Sequence, residues 1–278
     1  MSLIDYEQIF VWGCLPLMAA ALGFFFTHFF VRVLEIMKVL TPQHFIIYKH
    51  SKESRESLRD KVFAKISKKE QFVSNVLSLI GPAQWFIGLI AGILLSHIFS
   101  SSTADDLATE KSFSNLNSQR TMAQVMFKLI MLHLLDDFFL YWGHRIQHEI
   151  PYMWKKWHSQ HHQLQTPTTY ATAYVHDLDS TLQAGIPMIM ATILVKPSSI
   201  AFTIYCFIRL SENTINHSGY DHPLINVLWW KWFPLRAPIG HHDSHHRYSN
   251  HGKSAKNYAE FYIIWDWVFG TYRKAGTS

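Results

Sequence analysis

The sequence predicts an all-α integral membrane protein, a helical bundle of about four spans or hairpin legs carrying a cytoplasmic helical cap. Three observations predict it. Four long apolar regions punctuate the 278 residues. Charged residues make up only 16% of the chain, against about 25% in an ordinary soluble domain. The 18 histidines are concentrated in the polar segments beside the later apolar regions.

The first apolar region, Ile9 to Leu34, carries no charge before Arg32. A helix of about 20 such residues crosses a hydrocarbon core of roughly 30 Å. The run is too long for a signal h-region and lacks a basic leader, so it reads as a retained span. The second region runs from Phe72 to Phe99, with Gly81-Pro82 as a kink or a starting point. The third, Met122 to His148, holds Lys128, His133, Asp136 and Asp137 and must turn one side to protein or water. The fourth, Leu182 to Leu210, is broken by Lys196-Pro197, which predicts two short legs rather than one long helix.

Charge sets the expected orientation. Glu35 to Glu70 carries nine Lys or Arg against five acids, whereas Ser100 to Arg120 carries two bases against three acids. The positive-inside bias places the former in the cytoplasm. Residues 143–180 and 214–278 then share the cytoplasmic side. Two parts follow: residues 1–121, spans and a basic loop, and residues 122–278, the histidine-bearing part. The net charge of +5 is unevenly spread and does not indicate nucleic acid. Cys14 and Cys206 sit in apolar runs and suggest neither a disulfide framework nor a CxxC metal site.

The histidines fall into three boxes. HRIQH contributes His144 and His148, four apart on one helix face. HSQHH contributes His158, His161 and His162, and HDSHH repeats that spacing with His242, His245 and His246. His217 stands between them in NHSGYDHP. Imidazole suits iron, copper, zinc and nickel, so the ligand type alone does not choose the metal. So many histidines exceed what one ion can hold, and two ions fit the number. Asp136, Asp137, Asp177 and Asp243 are candidates to orient imidazoles through the second ring nitrogen. His28, His44, His50, His97 and His133 fit no box, and His251 flanks the third.

The pattern HRIQH, HSQHH, HDSHH resembles the fatty acid hydroxylase and sterol desaturase superfamily. NHSGYDHP and the ending NYAEFYIIWDWVFGTY are similar to 4-methyl sterol oxidases, and the former also to cholesterol 25-hydroxylases. The resemblance covers roughly residues 125–275. It implies a multi-pass endoplasmic-reticulum enzyme with two iron ions facing the cytoplasm. It implies O2 as co-substrate and NAD(P)H as indirect electron source, through a separate donor such as a b-type cytochrome or its reductase. The implied metal ligands are His144, His148, His158, His161, His162, His217, His242, His245 and His246. His176, Asp221, His222 and His241 are possible additional or supporting residues.

The expected reaction is oxidation of a C–H bond of a sterol taken from the bilayer, most plainly a 4-methyl group. Such a bond has no useful acidity, so acid–base chemistry cannot begin the reaction, whereas metal-centred oxidation can. Tyr141, Trp142, Trp154, Trp157 and Tyr174 are expected either to line an apolar slot opening sideways to lipid or to form an interfacial belt. Trp229, Trp230 and Trp232 read chiefly as belt residues. The alternatives are a side-chain hydroxylase or another lipid oxidase of the same superfamily, and, in a different class, a non-redox membrane metal-binding protein.

Overall fold

The computed structural model describes residues 6–44, 46, 82–99, 119–164, 168–249 and 251–274. Most of the basic segment and residues 100–118, which set the expected orientation, lie outside these residues, as do His50 and the start of the second apolar region. Among the described residues the chain is helical, with one isolated antiparallel bridge between Arg236 and Tyr262.

Six helices carry the architecture: α1 Leu15–Ile36, α2 Pro82–Phe99, α3 Gln119–Glu149, α4 Ile186–Val195, α5 Ser199–Asn216 and α6 Ile239–Tyr248. Among the described residues, two helical runs are long and apolar enough to cross a membrane, Phe10–Ile36 and Asp177–Val195. Large apolar side chains face outward from several helices, among them Phe29 on α1, Phe86 on α2, Phe127 on α3 and Leu194 on α4. A bundle with outward-facing Phe and Leu suits a hydrocarbon surround, and the molecule is an all-α membrane helical bundle.

Close backbone approaches hold the spans together. The π-helical turn Phe10–Cys14 leads into α1 and packs on α2. A Cβ on Gly13 would run into the carbonyl of Gly88, and one on Gly92 would lie 2.7 Å from the carbonyl of Ile9. Gly88 and Gly92 thus make a small-residue seam, the common way for membrane helices to gain dispersion contact. Farther along, α1 packs along α5, with Gly23 against the Phe207 carbonyl.

The fourth apolar region divides at Lys196-Pro197. Lys196 is left-handed (φ 49°), and its carbonyl accepts a 2.7 Å bond from Lys128 Nζ. Ser198 caps α5, its Oγ accepting from Ala201 N at 3.2 Å. The legs pack mainly on different partners, α4 on α3 and α5 on α1. Cys206 is buried in the core with Trp12, Leu132 and Phe202, and both cysteines are free thiols.

The charges of α3 lie inside the protein. Asp136 accepts from Arg209 Nε at 2.6 Å and from the Tyr205 hydroxyl at 2.7 Å, and Arg209 reaches on to the Gln183 carbonyl at 2.7 Å. Asp137 accepts the backbone N–H groups of Glu260, Phe261 and Tyr262 at 2.8–3.0 Å. These two carboxylates therefore hold the bundle together rather than orient imidazoles. Removing the partner of such a buried charge costs about 3–5 kcal/mol.

The segment before α6 is pinned from beneath. Glu212 on α5 accepts from Lys231 Nζ at 2.5 Å and from Arg236, and lies 3.2 Å from His133 Nε2. Lys231 is buried, yet its neighbours Trp230 and Trp232 are about 60% exposed. The two indoles stack at 6.4 Å, and Trp229 packs on Phe30 of α1, so this aromatic ridge continues the outward face of the first span.

Candidate metal centre

Each histidine box is positioned by a different piece of the fold. His144 and His148 lie at the end of α3. His158 closes the π-helical turn Trp154–His158, and His161 and His162 follow in one helical turn. His217 ends α5, and His242, His245 and His246 lie on α6. All nine are buried.

They form two groups. His144, His148, His158, His162 and His245 converge in one, and His161, His217, His242 and His246 in the other, with ligand atoms within 4.8 Å of each other in each group. Helix geometry explains the sorting. Residues four apart share a face, whereas neighbours point about 100° apart. So His144 with His148, His158 with His162, and His242 with His246 each stay together. The adjacent pairs His161-His162 and His245-His246 divide between the groups and join them. The rings of His162 and His246 stack at 4.8 Å across the boundary.

The second ring nitrogens show which way the imidazoles are set. His144 Nδ1 lies 2.7 Å from the Tyr258 carbonyl, His217 Nδ1 2.8 Å from the Asn213 carbonyl and His245 Nδ1 2.6 Å from the Lys256 carbonyl. His158 Nδ1 lies 2.9 Å from Asp179 Oδ2, and His161 Nδ1 3.4 Å from the Tyr174 carbonyl. Those oxygens can only accept, so Nδ1 carries the proton and Nε2 keeps its lone pair. Burial, the largest influence, holds the imidazoles of His144, His158, His161, His162, His217, His242, His245 and His246 below the ordinary histidine range, and His217 falls to about 3.

The result is a set of neutral donors aimed at one another. His217 and His161 face each other Nε2 to Nε2 at 3.3 Å, although both Nδ1 protons point at carbonyls. His158 and His148 approach to 3.0 Å, and His242 and His217 to 2.9 Å. His144 Nε2 is buried and has no hydrogen-bond partner among the described residues. Ligands at right angles around an ion, with metal–nitrogen bonds of about 2.1 Å, stand about 3 Å apart. The donor set therefore suits a metal ion in each group.

The supporting shell comes from the C-terminal segment. Asp137 anchors residues 260–262 to α3, and Asp266 accepts from Tyr258 N, Ala259 N and Thr271 Oγ1. These bonds bring the Tyr258 and Lys256 carbonyls to His144 and His245. Asp266 also holds His241, whose Nε2 lies 3.0 Å away, so His241 faces the Asp266 carboxylate and lies outside both groups. His176 and His222 are helix caps, accepting from Leu178 N and Leu224 N at 3.2 Å, and Asp221 accepts from Asn226. None of these three lies in either group.

Asp179, two residues beyond the expected Asp177, is the carboxylate on the second box. It was legible only as part of HDLD, because its reach depends on the turn from His176 into Thr181–Gly185. Asp177 instead gives its carbonyl to Ser180 and Thr181 hydroxyls, and Asp243 is buried on α6.

A cavity of about 190 Å³ ends at His161, His217 and His242. Its apolar walls come from the run before and through α1, from α2 and from α4, including Trp12, Leu17, Ile87 and Met188. Small and aliphatic residues, with Trp12 and Phe202, line it, not the expected aromatics Tyr141, Trp142, Trp154, Trp157 and Tyr174. Tyr141 and Trp142 pack against Phe269, and Trp154 packs on the rings of His148 and His162.

Comparison with known proteins bears on this centre. The sequence model described as fatty acid hydroxylase matches residues 129–271. The chain is 33% identical over 178 residues to methylsterol monooxygenase 2-2 of Arabidopsis thaliana, covering 62% of this chain and 61% of that protein. It is 30% identical over 151 residues to methylsterol monooxygenase 1-1 of the same plant, covering 54% and 48%. Very-long-chain aldehyde decarbonylase GL1-11 of Oryza sativa subsp. indica is 33% identical over 162 residues, 55% of each chain. The chain thus spans about half to three fifths of the length of these relatives. No solved structure matches. The family model covers just over half of the residues, including all three histidine boxes, and the chain belongs to the fatty acid hydroxylase family.

Proposed function

We propose that this protein is a membrane-bound diiron monooxygenase that oxidises a C–H bond of a sterol, most specifically the 4-methyl group of a 4-methyl sterol. The observation that carries the reading is the paired groups of buried, neutral imidazoles at the end of a cavity walled by apolar helices. His144, His148, His158, His162 and His245 would hold one iron, and His161, His217, His242 and His246 the other. When bound, the pair supplies the oxidation of a C–H bond too inert for proton abstraction. The net reaction consumes the substrate, O2, NAD(P)H and a proton. It yields the hydroxylated substrate, NAD(P)+ and water.

The chain's own residues supply the rest. Tyr258, Lys256 and Asn213 carbonyls and Asp179 hold protons on Nδ1 and keep Nε2 free to bind. The cavity walls exclude water and orient an apolar body. Its lining by both candidate spans and the apolar helix α2 suits entry from the bilayer. The histidine boxes would face the cytoplasm at the endoplasmic-reticulum membrane, served by a separate b-type cytochrome or its reductase. The sterol assignment, rather than a long-chain aldehyde, follows the similarity of NHSGYDHP and WDWVFGT to 4-methyl sterol oxidases.

Lipid profiling of a strain lacking the gene, complemented with wild type or His161→Ala, tests the function. Accumulation of 4-methyl sterols, reversed by wild type and not by His161→Ala, is expected. An unchanged sterol profile with accumulating long-chain aldehydes would replace the sterol reading. Purified protein without bound iron and without O2 consumption would support a non-redox metal-binding role.

A further inference from the structure

The cavity is polar at one end only. Along the spans its lining is apolar, whereas beside His161, His217 and His242 it is closed by Asp179, Gln183, Arg209, Asn213 and Glu260. Most of these polar groups are committed to the fold. Asp179 accepts from His158 and from Gln183 Nε2 at 2.6 Å. Arg209 is taken up by Asp136 and the Gln183 carbonyl.

Glu260 is different. The residue is 4% exposed, and among the described residues its side chain has one hydrogen-bonding partner, Asn213 Nδ2, at 2.5 and 2.6 Å from its two oxygens. No Lys or Arg among the described residues makes an ion pair with it. A carboxylate offers about four lone-pair sites, and a single amide NH2 fills at most two. Both oxygens are bonded to the one amide, yet each keeps a lone pair, so a hydroxyl arriving in the cavity has a seat ready for it. Burial raises the Glu260 carboxyl to about 7, with the Arg209 charge opposing, and either protonation state can bond a hydroxyl.

We infer that the cavity takes its lipid polar end first, and that Glu260, with Asn213, is the specificity-determining seat of a hydroxyl close to the carbon that is oxidised. The inference rests on the reading of the site as a lipid oxidase and narrows its substrate class. A molecule seated this way presents a C–H bond within a few carbons of its hydroxyl to the four-histidine group. A methyl on the carbon next to the hydroxyl-bearing carbon of a sterol satisfies that geometry. A lipid oxidised far along a chain or side arm would enter tail first and leave its polar group among Trp12, Leu17 and Ile87.

The test is equilibrium binding to the full-length, iron-loaded protein in lipid nanodiscs. The probes are a radiolabelled 4-methyl sterol and the same sterol lacking its hydroxyl. Wild type is expected to bind the hydroxylated probe about tenfold or more tightly. Glu260→Leu is expected to erase that preference by weakening the hydroxylated probe alone, at unchanged iron content, and Glu260→Gln to retain part of it. Equal affinities in wild type, or a preference that survives Glu260→Leu, would overturn the inference. Should Glu260→Leu fail to fold, Asn213→Leu gives the same comparison, because the bond to His217 uses the Asn213 backbone. Should wild type bind neither sterol, the sterol reading fails, and a long-chain alcohol against the alkane of equal length tests polar-end-first entry by the same criterion.

Discussion

His158 and Asp179 are bonded Nδ1 to Oδ2 at 2.9 Å with both side chains buried, and the bond directs His158 Nε2 at His148 Nε2, 3.0 Å away. Loss of such a partner typically lowers metal affinity about 10–100-fold. Asp179→Leu is therefore expected to reduce iron retention by that factor in a chelator competition. Asp179→Asn, whose amide oxygen still accepts, should recover part of it. Retention equal to wild type in Asp179→Leu would remove this residue from the support of the centre.

The division of the adjacent pairs between groups predicts separable losses. His148→Ala should empty the five-histidine group and spare the other, and His217→Ala the reverse. Metal analysis would show one ion lost from each variant and both from the double variant. If both ions leave each single variant, the two groups form one cooperative site.

Acid should destabilise the metal-free protein through its imidazoles. His217 is held near 3 by burial, whereas in the unfolded chain it titrates near the ordinary value of about 6.5. Below that value the unfolded state binds more protons, so stability rises with pH in this window. The contribution is complete above about pH 6.5 and is lost as pH falls toward about 3. His217 alone accounts for about 2 kcal/mol between pH 7.5 and pH 5. Thermal unfolding of the metal-free protein should show a lower Tm at pH 5, and an unchanged Tm would contradict neutral burial.

Gly13→Ala is expected to cost about 1–3 kcal/mol, because its methyl meets the Gly88 backbone, which cannot rotate away. The measurement is Tm in detergent. Gly252→Ala provides the contrast in space, since nothing lies within 4 Å of its Cβ, though its positive φ of 98° carries a separate strain. A smaller effect at Gly13 than at Gly252 would deny the tight seam.

The aromatic ridge should sit in the bilayer interface. Brominated lipids are expected to quench wild-type tryptophan fluorescence more than that of Trp230→Phe/Trp232→Phe. Equal fractional quenching would place the ridge away from lipid.

The apolar regions, the break at Lys196-Pro197 and the pairing of histidines four apart were legible because each depends on local chain geometry. A run of Phe and Leu is apolar wherever it lies, and a helix puts every fourth residue on one side. The helical class, the outward-facing spans and the gathering of His144 through His162 with His217 and His242 through His246 follow that local logic.

What the linear chain could not decide was which distant atoms meet. Asp136 and Asp137 looked like supports for the histidines, yet one neutralises Arg209 and the other gathers three backbone N–H groups from residues 260–262. Asp179 took the supporting place through a turn whose path depends on packing against α3. The cavity is lined by residues around Gly13 and Gly88 rather than by the aromatics beside the histidine boxes, because the small residues let those helices approach. Local periodicity in the sequence determined the number and kind of candidate metal donors. The tertiary structure decided which boxes share a group and where the polar end of the cavity lies, since both arise from contacts between segments distant in sequence, such as His161 with His217 and Asn213 with Glu260.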